Sequence, residues 1–293
     1  MTINRRRAPS SKISSEKKKS GHRNEVIFAS LINGDIKKGT QKGDVEDESG
    51  ALYSIKSGKK WQIFLYTLGR ISKCKHLNIL KPCIESFPEN YDQYLKDRIA
   101  CITFKEKYIL THGRISAKIL TNDEVVRNVG NNVYISSKSL LKKNTEIITN
   151  KLKNKNIVRN FYNEALFNND EVKFLAIKDT TFKNDGFFKV FFKDDVLDIL
   201  TDKTYAAVSK AGLVPEDYNE EGQKIIFCYK KDNGSFKNII EIEVRNESKI
   251  KYRLLRFNMY SKDTLFLLNK LPMKKFNNLI ELYGKASELF FVK

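Results

Sequence analysis

The segment from Lys42 to Ser57 restricts this chain more than any other. Two short runs, about Lys42 to Asp47 and Ala51 to Ser57, flank Glu48-Ser49-Gly50. A three-residue hairpin loop commonly ends in a left-handed residue, which glycine adopts without steric cost, and Gly50 sits at that place. The implied register sets Asp47 opposite Ala51 and Asp44 opposite Ser54. Side chains alternate along a strand, so Val45, Tyr53 and Ile55 fall on one face and Asp44, Glu46, Ser54 and Lys56 on the other. The hairpin therefore has an apolar back and a polar, charged front.

The elements around it follow from periodicity. A helix is expected over about Asn24 to Asn33, with Ile27, Phe28, Leu31 and Ile32 on one side, Glu25 in the first turn and Gly34 as a stop. After Ser57-Gly58, Trp61, Phe64, Leu65, Leu68 and Ile71 recur at helical spacing and predict a second helix carrying Gln62 and Tyr66 on one side. Residues 74 to 170 read as a largely helical insertion, with helices near 138 to 153 and 157 to 168. VKFLAIKD, 172 to 179, reads as a buried strand, and 186 to 200 as a strand leading into a helix. Residues 224 to 258 read as a three-stranded meander turning at DNGS and NES. The end, 261 to 288, reads as helix anchored by Leu265, Leu268, Leu271, Leu279 and Leu282. The expected fold is α/β, a mixed central sheet flanked by helices, with a helical insertion and a C-terminal β meander. The expected division is a disordered basic tail over 1 to 20, a core over 21 to 203, and a C-terminal region over 204 to 293.

Net charge narrows the partners. The chain of 293 residues carries +19 at pH 7, and eight Lys/Arg against one Glu fall in positions 1 to 23. The remaining excess belongs to the folded part, so a polyanion such as DNA or RNA is the natural partner. No apolar run approaches the roughly 20 residues of a membrane span, and the polar, basic start has no secretory core. A cytoplasmic location is expected. Cys74, Cys83, Cys101 and Cys228 form no disulfide framework, which suits a reducing compartment. Cys74, His76, Cys83, Cys101 and His112 match no ordinary zinc spacing.

Phosphodiester hydrolysis needs hard oxygen ligands for a divalent ion and a cation to steady growing negative charge. Glu25, then Gly43-Asp44, then Ser54-Ile55-Lys56, then Gln62 to Tyr66 present such groups in order. This sequence of a helical Glu, "GD", a "(D/E)xK"-like triplet and "QxxxY" resembles the core of the PD-(D/E)XK nuclease superfamily, and the wording KGDVEDESGALYSIKSGKKWQIFLY resembles type II restriction endonucleases. The resemblance spans about 45 residues. It implies Mg2+ held by Asp44 and the Ile55 carbonyl, Lys56 as catalytic lysine, Gln62 and Tyr66 as helix residues that support the site and contact phosphate, and Glu25 as the acid of the leading helix. It also implies duplex DNA as substrate, a homodimer matched to palindromic sites, and a cognate DNA methyltransferase as partner.

One position departs from the pattern. Ser54 stands where the superfamily has Asp or Glu, and a hydroxyl is a far weaker Mg2+ ligand. Glu25 or Glu46 fills the gap, or one ion suffices, or the site is inactive. Lys59 and Lys60 are candidate phosphate clamps, set against a simple solvated pair. In the meander, Arg245, Lys249, Lys251, Arg253 and Arg256 are candidate DNA contacts, with Arg253 and Arg256 foremost. Glu241, Glu243 and Arg245 read as a solvated strand edge, Asp194-Asp195 as helix caps, and His112 as a loop histidine without a catalytic role. Two other functions stay open: a structure-directed repair or recombination nuclease of the same fold, and a non-catalytic nucleic-acid-binding protein.

Overall fold

The computed structural model of the protein describes residues 11–37, 42–118, 120–179, 187–209 and 224–290. In chain order it forms α1 (Ser11–Leu31), β1 (Asp35–Ile36), β2 (Val45–Glu46), β3 (Leu52–Lys56), β4 (Lys60–Tyr66), α2 (Leu68–Ile71), α3 (Lys81–Glu85), α4 (Tyr91–Lys118), α5 (Asn122–Val129), α6 (Val133–Lys151) and α7 (Lys155–Phe167). Then come β5 (Val172–Asp179), β6 (Phe187–Phe192), α8 (Lys193–Lys203), β7 (Tyr205–Val208), β8 (Ile225–Lys230), β9 (Phe236–Asn246), β10 (Tyr252–Tyr260), α9 (Ser261–Leu268), β11 (Met273–Lys275), β12 (Ile280–Tyr283) and α10 (Ala286–Leu289). The class is mixed α/β, in two compact units. The first draws on residues 1–61, 166–200 and 261–293, the second on 62–165 and 201–260.

The first unit is built on a seven-stranded mixed sheet of order β1-β2-β3-β5-β6-β12-β11. β1, β2 and β3 run antiparallel in succession, β5 then lies parallel to β3, and β12 lies parallel to β6. Alternation gives one face of this sheet to Val45, Tyr53, Ile55, Phe174, Ala176, Phe188, Val190, Ile280 and Leu282. Phe28, Ala29 and Ile32 of α1 and Ala286 of α10 pack in the same cluster. Burying these apolar groups, each worth about 1.5–3 kcal/mol when large, fixes α1 against that face.

The second unit holds a five-stranded sheet of order β4-β10-β9-β8-β7. Phe64 of β4 meets Phe257 of β10 edge to face at 5.2 Å between ring centres, and Phe161 of α7 meets Phe227 and Phe257. Glu164 of α7 is buried, and its carboxylate accepts from the amides of Lys75 (2.9 Å), His76 (2.6 Å) and Leu77 (2.7 Å). One side chain thus satisfies the otherwise orphaned start of a 3-10 turn.

The strand at 172 to 179, the strand and helix of β6 and α8, helices α6 and α7, and the meander β8-β9-β10 all form where the sequence places them. Four expectations are corrected. Residues 60 to 66 are strand β4, and only Leu68–Ile71 is helical, capped by Thr67 accepting from the Arg70 amide at 3.4 Å. Trp61, Ile63, Phe64 and Tyr66 favour strand, and pairing with β10 overrides a period that fitted either structure. Residues 261 to 288 are not one helix: Pro272 cannot continue it, and Ile280 to Tyr283 instead pair with Phe188 to Phe191. Helix α1 reaches back to Ser11, so residues 11 to 20 of the expected tail are helical, while residues 1 to 10 lie outside those described. The meander groups with the helices of the second unit and not with the C-terminal residues. Among the described residues no helix is long and apolar enough to cross a membrane.

Candidate active site

Turn chemistry sets the hairpin. Gly50 has φ +81° and donates its amide to the Asp47 carbonyl at 2.9 Å. Asp47 Oδ1 accepts from the Ser49 amide (2.9 Å), the Ser49 hydroxyl (2.6 Å) and the Ala51 amide (2.9 Å), an aspartate-closed turn. Its other oxygen accepts from the buried Tyr53 hydroxyl at 2.7 Å. Burial, then this carboxylate, push the Tyr53 hydroxyl far above the ordinary tyrosine range. Spacing alone had not singled out Asp47, although an aspartate opening a glycine-bearing turn is a readable signal.

The register runs Asp47 amide to Ala51 carbonyl, Glu46 opposite Leu52 and Val45 opposite Tyr53, as the turn predicts. There the regular β2–β3 ladder ends. The Asp44 amide donates to the Tyr53 carbonyl at 2.7 Å, and beyond it the Asp44 carboxylate takes the strand's place. Asp44 Oδ2 accepts from the Ile55 amide at 2.6 Å. The N–H and C=O of one strand residue point the same way, so the Ile55 carbonyl also faces this fork and not β5.

Lys56 closes the group. Its Nζ donates to Ser54 Oγ at 2.7 Å and to the Ile55 carbonyl at 3.2 Å, and lies 3.6 Å from Asp44 Oδ2. Ser54 is buried, and its hydroxyl lies 3.4 Å from Asp44 Oδ2. Asp44 and Lys56 remain about one-fifth exposed, at 23% and 21%. Asp44, Ser54, Ile55 and Lys56 are therefore assembled, with a partly exposed carboxylate and ammonium gathered about the Ile55 backbone where the β2–β3 pairing ends.

The other proposed members stand apart. Glu46 pairs with Lys37, and Glu25 with His22 at 3.0 Å. Glu25 lies on α1, which packs against the opposite face of the sheet, and Glu46, on the Asp44 face, is taken up by Lys37. Among the described residues no three His, Cys, Asp or Glu side chains gather as a metal site would need. The donors that do converge, the Asp44 carboxylate and the Ile55 carbonyl, still suit Mg2+, which often takes one or two protein oxygens and completes its shell with water and phosphate.

Gln62 and Tyr66 lie on strand β4, not on a helix. Gln62 is exposed, while Tyr66 is buried under the Arg70 guanidinium, 4.1 Å from its ring centre. Lys59 and Lys60 are exposed where the chain enters β4. Arg253, at φ +55° on a bulge of β10, pairs with Glu89 at 3.3 Å. Arg256 faces Glu243 across the β9–β10 ladder and pairs with it. Glu241 and Glu243 are buried on the inner strand β9, so the expected solvated edge is a buried network. Lys224 reaches Glu243 at 2.9 Å and Glu241 at 3.5 Å, and the Tyr260 hydroxyl donates to Glu241 at 2.6 Å. Asp195, expected as a helix cap, instead accepts the Lys285 amide at 2.7 Å.

No family model matches the chain, and neither a curated protein nor a solved structure matches it.

Proposed function

We propose that this chain is a Mg2+-dependent endonuclease of duplex DNA with a PD-(D/E)XK-type core, acting as a sequence-specific restriction enzyme. The observation that carries the reading is the fork between β2 and β3, where Asp44, the Ile55 carbonyl and Lys56 converge beyond the last paired rung. The element order α1, β1-β2-β3, then a strand β5 parallel to β3, agrees with such a core. A net charge of +19 suits a phosphate polymer.

Asp44 and the Ile55 carbonyl would hold the ion. The ion when bound supplies charge neutralisation at the phosphate and lowers the pKa of a water. Lys56, carried on the same strand, would donate to the phosphate oxygens and to the attacking water, where a compact ammonium with three donors suits the geometry. Ser54 keeps Lys56 in place through its 2.7 Å bond and adds no charge. In this reading the protein acts as a homodimer on palindromic sites, beside a methyltransferase that protects host DNA. Sequencing the ends of fragments cut from unmethylated phage DNA tests it: one fixed sequence at every end is expected. Ends without a common sequence would replace it by a structure-directed nuclease of the same fold.

A second reading rests on Ser54. Lys56 donates to a hydroxyl at the position where a second carboxylate would bind metal, which favours a protein that holds nucleic acid without cutting it. Binding in EDTA together with intact DNA in Mg2+ is its signature.

A further inference from the structure

Parallel strands β3 and β5 end side by side, with Lys56 opposite Ile177. One residue further along each chain lie Ser57 and Lys178. Asn24 of α1, only 7% exposed, joins them: its Nδ2 donates to Ser57 Oγ at 3.0 Å, and its Oδ1 accepts from Lys178 Nζ at 3.2 Å. Both ends of the buried amide are committed, so the asparagine is held in one orientation and presents a fixed acceptor to the lysine.

Lys178 is half-buried, with its Nζ 6.0 Å from the Phe188 ring centre. Among the described residues no carboxylate pairs with it, and a neutral amide occupies one of its three N–H groups. A carboxylate in place of Asn24 would have neutralised this charge; the amide positions it and leaves it whole. The Asn24 bond fixes the direction of the Nζ group, and two donors remain for an external acceptor. Such a cation, at the carboxyl ends of two parallel strands where open α/β sheets take their ligands, suits an anion.

We propose that Lys178, positioned by Asn24 on the α1 face of the sheet, is a phosphate-binding residue that takes a backbone phosphate of duplex DNA. The proposal rests on the DNA-binding part of the reading above and not on catalysis. Each neutralised phosphate contributes about 0.9 to the slope of log K against log salt. Binding of the full-length protein to a labelled duplex oligonucleotide, followed by anisotropy over a series of KCl concentrations in EDTA, isolates that contribution from cleavage.

Lys178→Met is expected to lower the slope by about 0.9 and Lys178→Arg to keep it. Asn24→Asp leaves the lysine present but neutralises it, and is expected to lower the slope by the same amount. A merely structural role for either residue would not move the slope. A wild-type slope in both Lys178→Met and Asn24→Asp overturns the proposal, as does wild-type protein that fails to bind the duplex. A lowered slope in a protein that never cuts DNA in Mg2+ upholds the proposal while the nuclease reading falls.

Discussion

The Ile55 amide donates to the Asp44 carboxylate across 2.6 Å, in the position that the next rung of the β2–β3 ladder would occupy. The bond has two consequences that mutation separates. Asp44→Ala leaves the amide without its acceptor and is expected to cost about 1–3 kcal/mol. Asp44→Asn keeps an acceptor oxygen and is expected to stay within about 1 kcal/mol of the wild type, yet loses the charge a cation needs. Denaturant unfolding of the two variants checks this, and equal stability losses would contradict the role given to the bond.

Ser54 lies 3.4 Å from the same carboxylate and 2.7 Å from Lys56 Nζ. Ser54→Asp puts a second carboxylate beside Asp44, with Lys56 at hand to offset its charge. The Mg2+ concentration giving half-maximal cleavage should fall by about tenfold, since hard-cation affinity rises with ligand charge. A metal titration of cleavage rate measures it. An unchanged midpoint would remove Ser54 from the metal's surroundings.

Arg256 sits between buried Glu243 and Glu241. Removing one partner of a buried ion pair leaves an uncompensated charge, so Arg256→Met should destabilise the protein by about 3 kcal/mol. Its DNA affinity should keep the wild-type salt dependence. Unaltered stability with a smaller salt slope would instead make Arg256 a phosphate contact, the role the sequence suggested for it.

Lys138 lies on α6, half-buried beside the Tyr134 ring. Desolvation first, and then the Lys105 and Arg98 charges, hold its ammonium down to about 7, against an opposing contribution from Cys101. The unfolded lysine titrates near 10.4. Between those two values the unfolded chain binds the extra proton, so this group makes stability rise with pH across that window. Below pH 7 its penalty is fully present. Lys138→Met should raise the melting temperature most at pH 6 to 7, with the gain shrinking towards pH 10. A gain independent of pH would assign the effect to packing alone.

The hairpin was legible because its determinants are local: Gly50 fixes the turn, and period-two alternation sorts Tyr53 and Ile55 from Ser54 and Lys56. Four of the site's groups follow from that register. The helix expected at Trp61 was not, because residues 61, 64, 65, 68 and 71 satisfy a helical period while 61 to 66 also satisfy a strand, and pairing with β10, almost 200 positions away, decides. Glu164 was invisible for the same reason, since the amides it satisfies lie 87 to 89 residues from it in sequence. The buried status of Glu241 and Glu243 depends on neighbours on both sides of β9, and alternation alone does not distinguish a buried charged row from a solvated one.

The central claim is that Asp44 and Lys56 serve a metal-dependent cut in DNA. Incubation of purified wild type, Asp44→Asn and Lys56→Ala with unmethylated phage DNA, in Mg2+ and in EDTA, tests it most directly. Discrete fragments from wild type in Mg2+ alone, and none from either variant, are the predicted result. Intact DNA in every lane with a retained gel shift, or cutting that survives both substitutions, would contradict it.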